Sequence, residues 1–278
     1  PHVKVTVLSR PFFRPLFEEL PEVGFFAVDV KEKHKGLKGL YKLSKELKAL
    51  QIDAVADLHN VLRTKVVGSF LRMSGIPIKT IDKGRAAKKA LTRLKNKKLV
   101  QLPTTFERYT EVFSSLGMPV DMEQHQFPKR KEISPKLIPL IDHSYKHHIG
   151  IAPFAAFKGK MYPLELMEAV IQQLDAAGET QIFLFGGGQA EIEKLSAISK
   201  KYASVITMAG ALSFQEELTL IANLDAMVAM DSGNAHLSAI YGVPTITLWG
   251  VTHPFAGFYP FGQPLENALL ADREKFPL

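Results

Sequence analysis

The chain has 278 residues, of which 46% are hydrophobic and 23% charged. This balance is typical of a globular protein with one large or two medium domains, and it excludes disordered and collagen-like chains. The absence of cysteine excludes a disulfide framework and thiolate chemistry. No apolar run is long enough to predict a membrane-spanning helix, and the first ten residues are typical of a β-strand, so no signal peptide is expected.

The formal net charge of +7 is unevenly distributed along the chain. Residues 1–145 carry 27 Lys and Arg against 15 Asp and Glu, a net charge of +12, whereas residues 146–278 carry 8 against 13, a net charge of −5. A basic block contains one acidic residue, Asp82, among Lys79, Lys83, Arg85, Lys88, Lys89, Arg93, Lys95, Lys97 and Lys98. Such a block either contacts an anionic partner or forms a solvated helix face.

Short β-rich runs alternate with helical patterns in the first half, which indicates a parallel sheet with crossover helices. The predicted strands are Val3–Ser9, Phe25–Val30, Ala54–Asp57 and Ile76–Ile81. The predicted helices are Gly36–Leu50, Asn60–Ser74, Arg85–Lys98 and Thr105–Leu116. Prolines among charged residues over 121–145 predict an interdomain linker, so the first domain is expected to cover residues 1–145.

The same alternation returns in residues 146–278, which predicts a second Rossmann-like α/β domain. Its predicted strands are Ile149–Pro153, Gln181–Phe185, Ser204–Met208, Ala226–Met230 and Thr245–Leu248. Its predicted helices are Pro163–Ala177, Gln189–Tyr202, Ser213–Asn223 and Asn234–Tyr241. Ser213 and Glu216 form the pattern of a capping box, and Pro163 suits a first helical turn.

Ligands bind open α/β sheets outside the carboxyl ends of the strands, so three loops of the second half are candidate sites. The first places Lys158 and Lys160 just before a helix, where they would reinforce the positive helix dipole toward a phosphate. Either lysine alone also fits a solvated loop. The second contains three glycines followed by Glu191, a carboxylate suited to ribose hydroxyls, although an ordinary tight turn explains it equally well.

The third loop gives the strongest signal. An apolar strand ends at Asp231, and Ser232, Gly233 and Asn234 begin a helix with small residues and free backbone N–H groups, which is a ready anion site. His236 lies one turn into that helix and either faces the same crevice or has a structural role. Asp231 alternatively serves as the N-cap of the helix.

The sequence lacks the motifs of several other kinds of chemistry. Asp231 and His236 are too few ligands for a metal site, so no metal is expected. The glycine-rich turn lacks the lysine and hydroxyl residue of a P-loop, and there is no G-x-S-x-G nucleophile elbow.

Six segments together resemble glycosyltransferase family 9, the ADP-heptose:lipopolysaccharide heptosyltransferases. They are Lys160-Met-Tyr-Pro163, Gly187-Gly-Gln-Ala-Glu191, Gly210-Ala-Leu-Ser-Phe-Gln-Glu-Glu-Leu218, Asp231-Ser-Gly-Asn-Ala-His236, Gly242-Val-Pro-Thr245 and Trp249-Gly-Val-Thr-His-Pro254. In the first half, Asp57-Leu-His-Asn-Val-Leu-Arg-Thr64 is similar to the family's Asp-Leu-Gln-Gly-Leu-(Lys/Arg)-Ser segment. The resemblance runs from Val3 to about Phe261.

The resemblance implies a GT-B glycosyltransferase: two Rossmann-like domains facing a cleft, the N-terminal one lacking its first strand. It implies an inverting, metal-independent transfer from an ADP-sugar without a further cofactor. The donor-binding residues would be Lys160, Glu191, Leu212 near the adenine, Asp231, Ser232, Gly233, Asn234 and His236. The acceptor would be an anionic lipid-linked saccharide, the lipopolysaccharide inner core, met by Arg63. Arg85, in the basic block, is a second expected acceptor contact.

This sequence departs from the family at several positions. Ala155 and Ala156 stand where the family often has hydroxyl residues, Ser232 replaces a commoner threonine, and His59 and Asn60 replace Gln-Gly. The family's proposed general base is an aspartate in an opening Gly-Asp loop. That unit is expected before residue 1, so the catalytic residue is unassigned, and the chain as given is expected to bind nucleotide with little transfer.

The family resemblance implies a cytoplasmic enzyme in peripheral contact with the inner membrane, and it makes the basic block the expected acceptor or membrane contact. A GT-B sugar-nucleotide epimerase and a non-catalytic nucleotide-sugar binding protein stay as alternatives. The sequence pI of about 9.4 also suggests a nucleic-acid-binding protein. The basic block has no interleaved aromatic residues and no nucleic-acid motif, so no nucleic-acid partner is expected.

Overall fold

The computed structural model describes residues 3–18, 20–93, 95–272 and 275. The chain forms two compact units, residues 1–125 and 126–278. Within the described ranges, no helix is both long and apolar enough to cross a membrane.

The described residues of unit 1 form four strands and four α-helices. In chain order these are β1 (Val5–Ser9), β2 (Val23–Ala27), α1 (Gly36–Ala49), β3 (Val55–Asp57), α2 (Leu62–Arg72), β4 (Ile78–Thr80), α3 (Arg85–Thr92) and α4 (Thr105–Ser115). Strand β1 pairs with β2 and β3 pairs with β4, both in parallel. In the apolar core of unit 1, Val28, just after β2, packs with Leu43 and Leu47 of α1 and Leu71 of α2.

Two features of unit 1 differ from the sequence prediction. The described strands form two separate two-stranded sheets instead of one, and β1 pairs with β2 without any of its residues being buried. Helix α3 ends at Thr92 instead of Lys98, with Arg93 extended. Lys89, Arg93 and Lys97 would repel one another at successive i, i+4 positions of a continued helix. Residue 94 of the predicted helix lies outside the described residues.

Unit 2 is a parallel α/β domain. Its elements are β5 (His147–Ala152), α5 (Leu164–Ala177), β6 (Thr180–Leu184), α6 (Gln189–Ser199), β7 (Val205–Thr207), α7 (Phe214–Ala222), β8 (Ala226–Met230), α8 (Gly233–Ile240), β9 (Thr245–Trp249) and β10 (Ala268–Leu270). The strand order is β10-β9-β8-β5-β6-β7. Every residue of β6 is buried, as expected for a parallel strand covered on both faces.

Local sequence determines where several of these helices begin. Ser213 Oγ accepts from the N–H of Glu216, whose carboxylate accepts from the N–H of Ser213, which confirms the predicted capping box of α7. Thr104 and Glu107 form the same arrangement at α4. Pro163 is the N-cap of α5 instead of a residue of its first turn.

The predicted linker belongs to unit 2 from residue 126 onward. Leu137 is completely buried in the core of this unit. Gln181 of β6 donates to the Leu140 carbonyl, and Asn223 at the end of α7 donates to the Lys131 carbonyl. The prolines and charges of this segment suggested a linker because its few apolar residues are not periodic, yet those residues pack on the sheet domain.

Candidate functional site

The order in which the chain adds strands to the sheet of unit 2 reverses between β5 and β8. From β5 the chain proceeds through β6 to β7 on one side, and β8, β9 and β10 lie on the other side. Ligands of open α/β sheets bind at such a switch point, outside the carboxyl ends of the strands. The loop after β5 carries Lys160, and the loop after β8 carries Asp231 and Ser232. The topology therefore brings the two strongest sequence candidates to one place.

Lys160 and Asp231 form a salt bridge at this edge. The Nζ of Lys160 lies 2.6 Å from Oδ2 of Asp231 and also donates to the Asp231 carbonyl at 3.5 Å. Thr252, in the loop after β9, donates its hydroxyl to the same Oδ2 at 2.8 Å. The Asp231 carboxylate is buried, so these two donors compensate a charge that water does not reach. The lysine ammonium is thereby held in place with donor capacity left for a ligand.

The loop that carries Lys160 is itself fixed to the neighbouring loop. A 3₁₀ turn covers Lys158–Lys160, and the carbonyl of Gly159 accepts from the N–H of Val251 at 2.8 Å. A side chain at Gly250 would overlap the Gly159 carbonyl, so glycine is needed there for this close approach. Lys158 is exposed, which fits its interpretation as a solvated loop residue.

The N-terminus of α8 forms the other side of the site. Ser232 is the N-cap residue, and no side chain caps the first N–H groups of the helix, which include those of Gly233 and Asn234. Those groups have no partner within a helix. The Ser232 hydroxyl is buried without a hydrogen-bond partner among the described residues, an arrangement that costs roughly 1–3 kcal/mol. An anionic ligand would satisfy the hydroxyl and the N–H groups together.

Asp231 is not the N-cap of α8, which was its alternative role. Its N–H donates to the Leu248 carbonyl of β9, so its backbone still follows the sheet. The N-cap position falls on Ser232, and the Asp231 carboxylate is free to hold Lys160.

His236 lies on α8 within electrostatic reach of both charged groups. Part of its ring is accessible to solvent, yet the surrounding protein atoms desolvate it enough to lower the pKa of His236 below its usual value. Asp231 opposes this shift and Lys160 adds to it. The lowered pKa favours the neutral imidazole, which can serve as a hydrogen-bonding group beside the anion site.

Glu191 and Leu212 follow the neighbouring strands. Glu191 lies in the first turn of α6, and its Oε2 accepts from the N–H of Gly187 at 2.8 Å. That hydrogen bond fixes the glycine turn after β6 and leaves carboxylate lone pairs for a hydroxyl donor. Leu212 packs against the core cluster that includes Ala235 of α8. In the part of the chain that the structure describes, neither side chain hydrogen-bonds to Lys160 or Ser232.

Arg63 and Arg85 lie in unit 1, in the first turns of α2 and α3. These helices follow β3 and β4, a parallel pair, so both arginines lie at the carboxyl edge of the same small sheet. Both side chains are exposed, which leaves them available to an anionic acceptor.

The loop before Arg63 is held by Asp57. The Asp57 carboxylate accepts from the N–H groups of His59 and Asn60 and from the Thr64 hydroxyl. Asn60 adopts a positive φ of 46°, a conformation that glycine and asparagine tolerate best, and its amide donates to the Ile81 carbonyl. Asparagine therefore fits the backbone position at which the family has glycine.

The sequence analysis assigned no role to Thr252. It lies within the Trp249–Pro254 segment, but its partner, Asp231, is 21 residues away in the chain. The one sequence signal that could have identified Thr252 is its position directly after β9, the strand that pairs with β8. Among the described residues, no group of three His, Asp or Glu side chains could hold a metal ion.

Solved structures share this architecture. A glycosyltransferase family 9 protein from Veillonella parvula DSM 2008 superposes with a TM-score of 0.73 at 19% identity, over 97% of this chain and 78% of that one. The Escherichia coli heptosyltransferase WaaC, solved with ADP, gives a TM-score of 0.69 at 19% identity, over 97% of this chain and 84% of that one. These similarities confirm the predicted GT-B fold.

Sequence comparison indicates the same family. Lipopolysaccharide heptosyltransferase 2 of Escherichia coli K12 is 26% identical over 91% of this chain and 76% of its own. The family model of glycosyltransferase family 9 (heptosyltransferase) matches residues 40–275, which include the site of unit 2 and both arginines of unit 1. The chain therefore belongs to glycosyltransferase family 9.

Proposed function

We propose that this protein is an inverting, metal-independent glycosyltransferase that moves a heptose or a related sugar from an ADP-sugar to the lipopolysaccharide inner core. The observation that carries the proposal is the anion site at the β5/β8 switch point, which consists of Lys160, the Ser232 hydroxyl and the N-terminus of α8. Its positive charge and hydrogen-bond donors suit a diphosphate. The ADP in the WaaC structure and the heptosyltransferase activity named for the Escherichia coli relative support the donor and the sugar.

The transfer is a single displacement at the anomeric carbon. The bond from this carbon to the diphosphate oxygen breaks, the bond to the acceptor hydroxyl oxygen forms, and the hydroxyl proton passes to a base. The diphosphate keeps the electron pair, so negative charge grows on ADP as it leaves. Lys160 and the N–H groups of α8 lie where they would stabilise that charge, and fixed donors of this kind each contribute roughly 10²–10³ in rate. These residues supply the positive charge for which other transferases use a metal ion.

We further propose that unit 2 binds the donor and unit 1 the acceptor. Glu191 would accept a hydrogen bond from the ribose, Leu212 would lie near the adenine, and Asp231 and His236 would flank the diphosphate. Arg63 and Arg85 would pair with anionic groups of the acceptor, because exposed guanidinium groups at one sheet edge suit phosphate and carboxylate. An acceptor of this kind would place the enzyme in the cytoplasm, at the inner-membrane surface.

The test is binding of ADP to the purified chain by isothermal titration calorimetry. Lys160→Ala should weaken binding by about 10- to 100-fold, because a hydrogen bond to a charged group contributes about 1.5–3 kcal/mol. Lys158→Ala removes the same charge from the same turn and should leave the affinity nearly unchanged. Equal affinities of the two variants would contradict the assignment of Lys160.

The nucleotide base separates the proposal from the epimerase alternative. UDP and GDP, titrated under the same conditions, should bind more weakly than ADP. A preference for UDP would contradict the proposed donor and would favour a sugar-nucleotide epimerase.

A further inference from the structure

Helix α1 of unit 1 has an exposed face whose charged side chains are all lysines. Lys38, Lys42, Lys45 and Lys48 lie on it, and all are exposed. The one acidic residue of α1, Glu46, points elsewhere: its carboxylate is paired with Lys33 and His34. Helix α2, which packs beside α1, has no acidic residue. The lysines therefore form a positive surface without compensating charges on either helix.

Large apolar side chains lie on the same surface. Leu37 is 66% exposed and Met73, directly after α2, is 85% exposed. The rings of Tyr41 and Phe70 meet edge to face with centroids 5.2 Å apart, which joins the two helices. Leu37 is one turn before Tyr41 and Met73 one turn after Phe70, so helix geometry places both beside this ring pair. The ammonium of Lys45 lies 4.8 Å from the centre of the Tyr41 ring.

We propose that this surface, formed by Leu37, Lys38, Tyr41, Lys42, Lys45 and Lys48 of α1 with Phe70 and Met73 of α2, docks onto an anionic lipid bilayer. We name it the α1–α2 face. Lysines with exposed Leu, Tyr and Met side chains are the composition of helices that lie in the membrane interface, where the apolar groups enter the headgroup region and the lysines meet acidic lipids. The inference rests on the proposed function in one respect: an enzyme with a lipid-linked acceptor must act at a bilayer.

The α1–α2 face fits a bilayer better than the basic block at Lys79–Lys98 does. Helix α3 contributes one buried apolar residue, Leu91, and the described residues of the block present lysines and arginines with no aromatic among them. A purely basic surface suits discrete anionic groups such as those of the acceptor. A nucleic-acid backbone would also attract lysines, but it gives no reason for Leu37 and Met73 to be exposed.

The experiment is co-sedimentation of the full chain with lipid vesicles, either pure phosphatidylcholine or phosphatidylcholine mixed with phosphatidylglycerol. The chain should bind the mixed vesicles and not the neutral ones. The variant K38Q/K42Q/K45Q should lower the partition coefficient by about 100-fold, because each lysine near an anionic surface contributes about a factor of five. Glutamine preserves helix propensity, so α1 should stay folded.

Two further variants separate lipid docking from simple charge attraction. K89Q/K97Q/K98Q removes the same charge from the basic block and should retain most vesicle binding. L37S/M73S keeps every charge and should still weaken vesicle binding by about tenfold or more. Equal losses in the two lysine variants, no effect of L37S/M73S, or no binding to the mixed vesicles would each overturn the proposal.

Two additional measurements complete the test. A DNA duplex added at the same ionic strength should not displace the chain from mixed vesicles, and efficient displacement would overturn the lipid assignment in favour of nucleic acid. All variants of the α1–α2 face should bind ADP with unchanged affinity, because they lie in unit 1. If the unmodified chain does not bind ADP, the proposed function is contradicted, whereas the inference of membrane docking still depends only on the vesicle result.

Discussion

At the scale of a single residue, Thr252 makes a specific contact in the candidate site of unit 2. Its hydroxyl and the Lys160 ammonium share one oxygen of Asp231. Without the hydroxyl, Lys160 would be the one side-chain donor to the buried carboxylate among the described residues. The two groups would then draw closer, and Lys160 would be less available to a phosphate. Thr252 is in this sense a positioning residue, which acts on the ligand through Asp231.

We therefore predict that Thr252→Val weakens ADP binding, although by less than Lys160→Ala, and lowers the free energy of unfolding by about 1.5–3 kcal/mol, the contribution of a hydrogen bond to a charged group. Calorimetric titration and urea unfolding measure the two effects. Thr252→Ser keeps the hydroxyl and should restore ADP affinity. If serine and valine weaken binding equally, the hydrogen bond is not the cause.

The sequence could predict that residues of the candidate site lie at one sheet edge, but not the contacts between them. Lys160, Asp231 and Ser232 could be identified because each follows a predicted strand, and parallel strands end at a common edge. The hydrogen bond of Thr252 could not, because it depends on β9 lying next to β8, and strand order is not encoded in any local pattern. The same reason applies to the packing of Gly250 against Gly159.

At the scale of the secondary-structure element, two adjacent glutamates at the start of α7 have opposite electrostatic environments. A backbone hydrogen bond from Ser213, followed by Lys136, lowers the pKa of Glu216. Burial raises the pKa of Glu217 from 4.5 to about 7. The first glutamate caps the helix as a carboxylate, whereas the second is held in a site that favours its protonated form.

These environments predict opposite pH dependences. Between pH 4.5 and 7 the unfolded chain loses the Glu217 proton before the folded protein does, so this group reduces the free energy of unfolding as the pH rises. Glu217→Gln cannot titrate, and relative to the wild type it should gain stability over that range, reaching on the order of 1–3 kcal/mol above pH 7.

The matched control is Glu216→Gln, which should destabilise the protein above pH 4.5, with the loss disappearing as the pH falls. Urea unfolding at pH 5 and pH 8 distinguishes the two variants. Equal effects of Glu217→Gln at both pH values would contradict the raised pKa.

Elements with local start signals were predicted within a few residues. Helix α7 begins at its capping box, and α1, β8 and α8 also lie close to the predicted ranges. Strand β10 was missed because Ala268–Leu270 has only three residues and forms by pairing with β9. Helix α3 was predicted too long, since helical propensity along Arg85–Lys98 does not account for the repulsion among its lysines and arginines. Tertiary pairing and charge crowding thus limited the prediction.

At the scale of the whole molecule, the position of residues 126–145 decides what an independently folding second unit contains. Leu137 is completely buried in the core of unit 2, and replacing a buried leucine by alanine alone typically costs about 2–5 kcal/mol. We predict that a fragment of residues 126–278 unfolds cooperatively and binds ADP, whereas a fragment of residues 146–278 does neither. Circular dichroism during heating and ADP titration provide the readouts. Cooperative unfolding of the shorter fragment would restore the linker interpretation.

The proposed donor site is assembled from three chain segments that are far apart in sequence. Lys160 and Asp231 are separated by 71 residues, and Thr252 lies a further 21 residues on. No short stretch of unit 2 could therefore retain the nucleotide while the rest of the sheet opened. A ligand that binds only the assembled state adds its binding free energy to the folded unit, about 2.7 kcal/mol at a hundred times its Kd. The concentration of donor nucleotide would then determine how strongly unit 2 resists unfolding, as well as the rate of transfer.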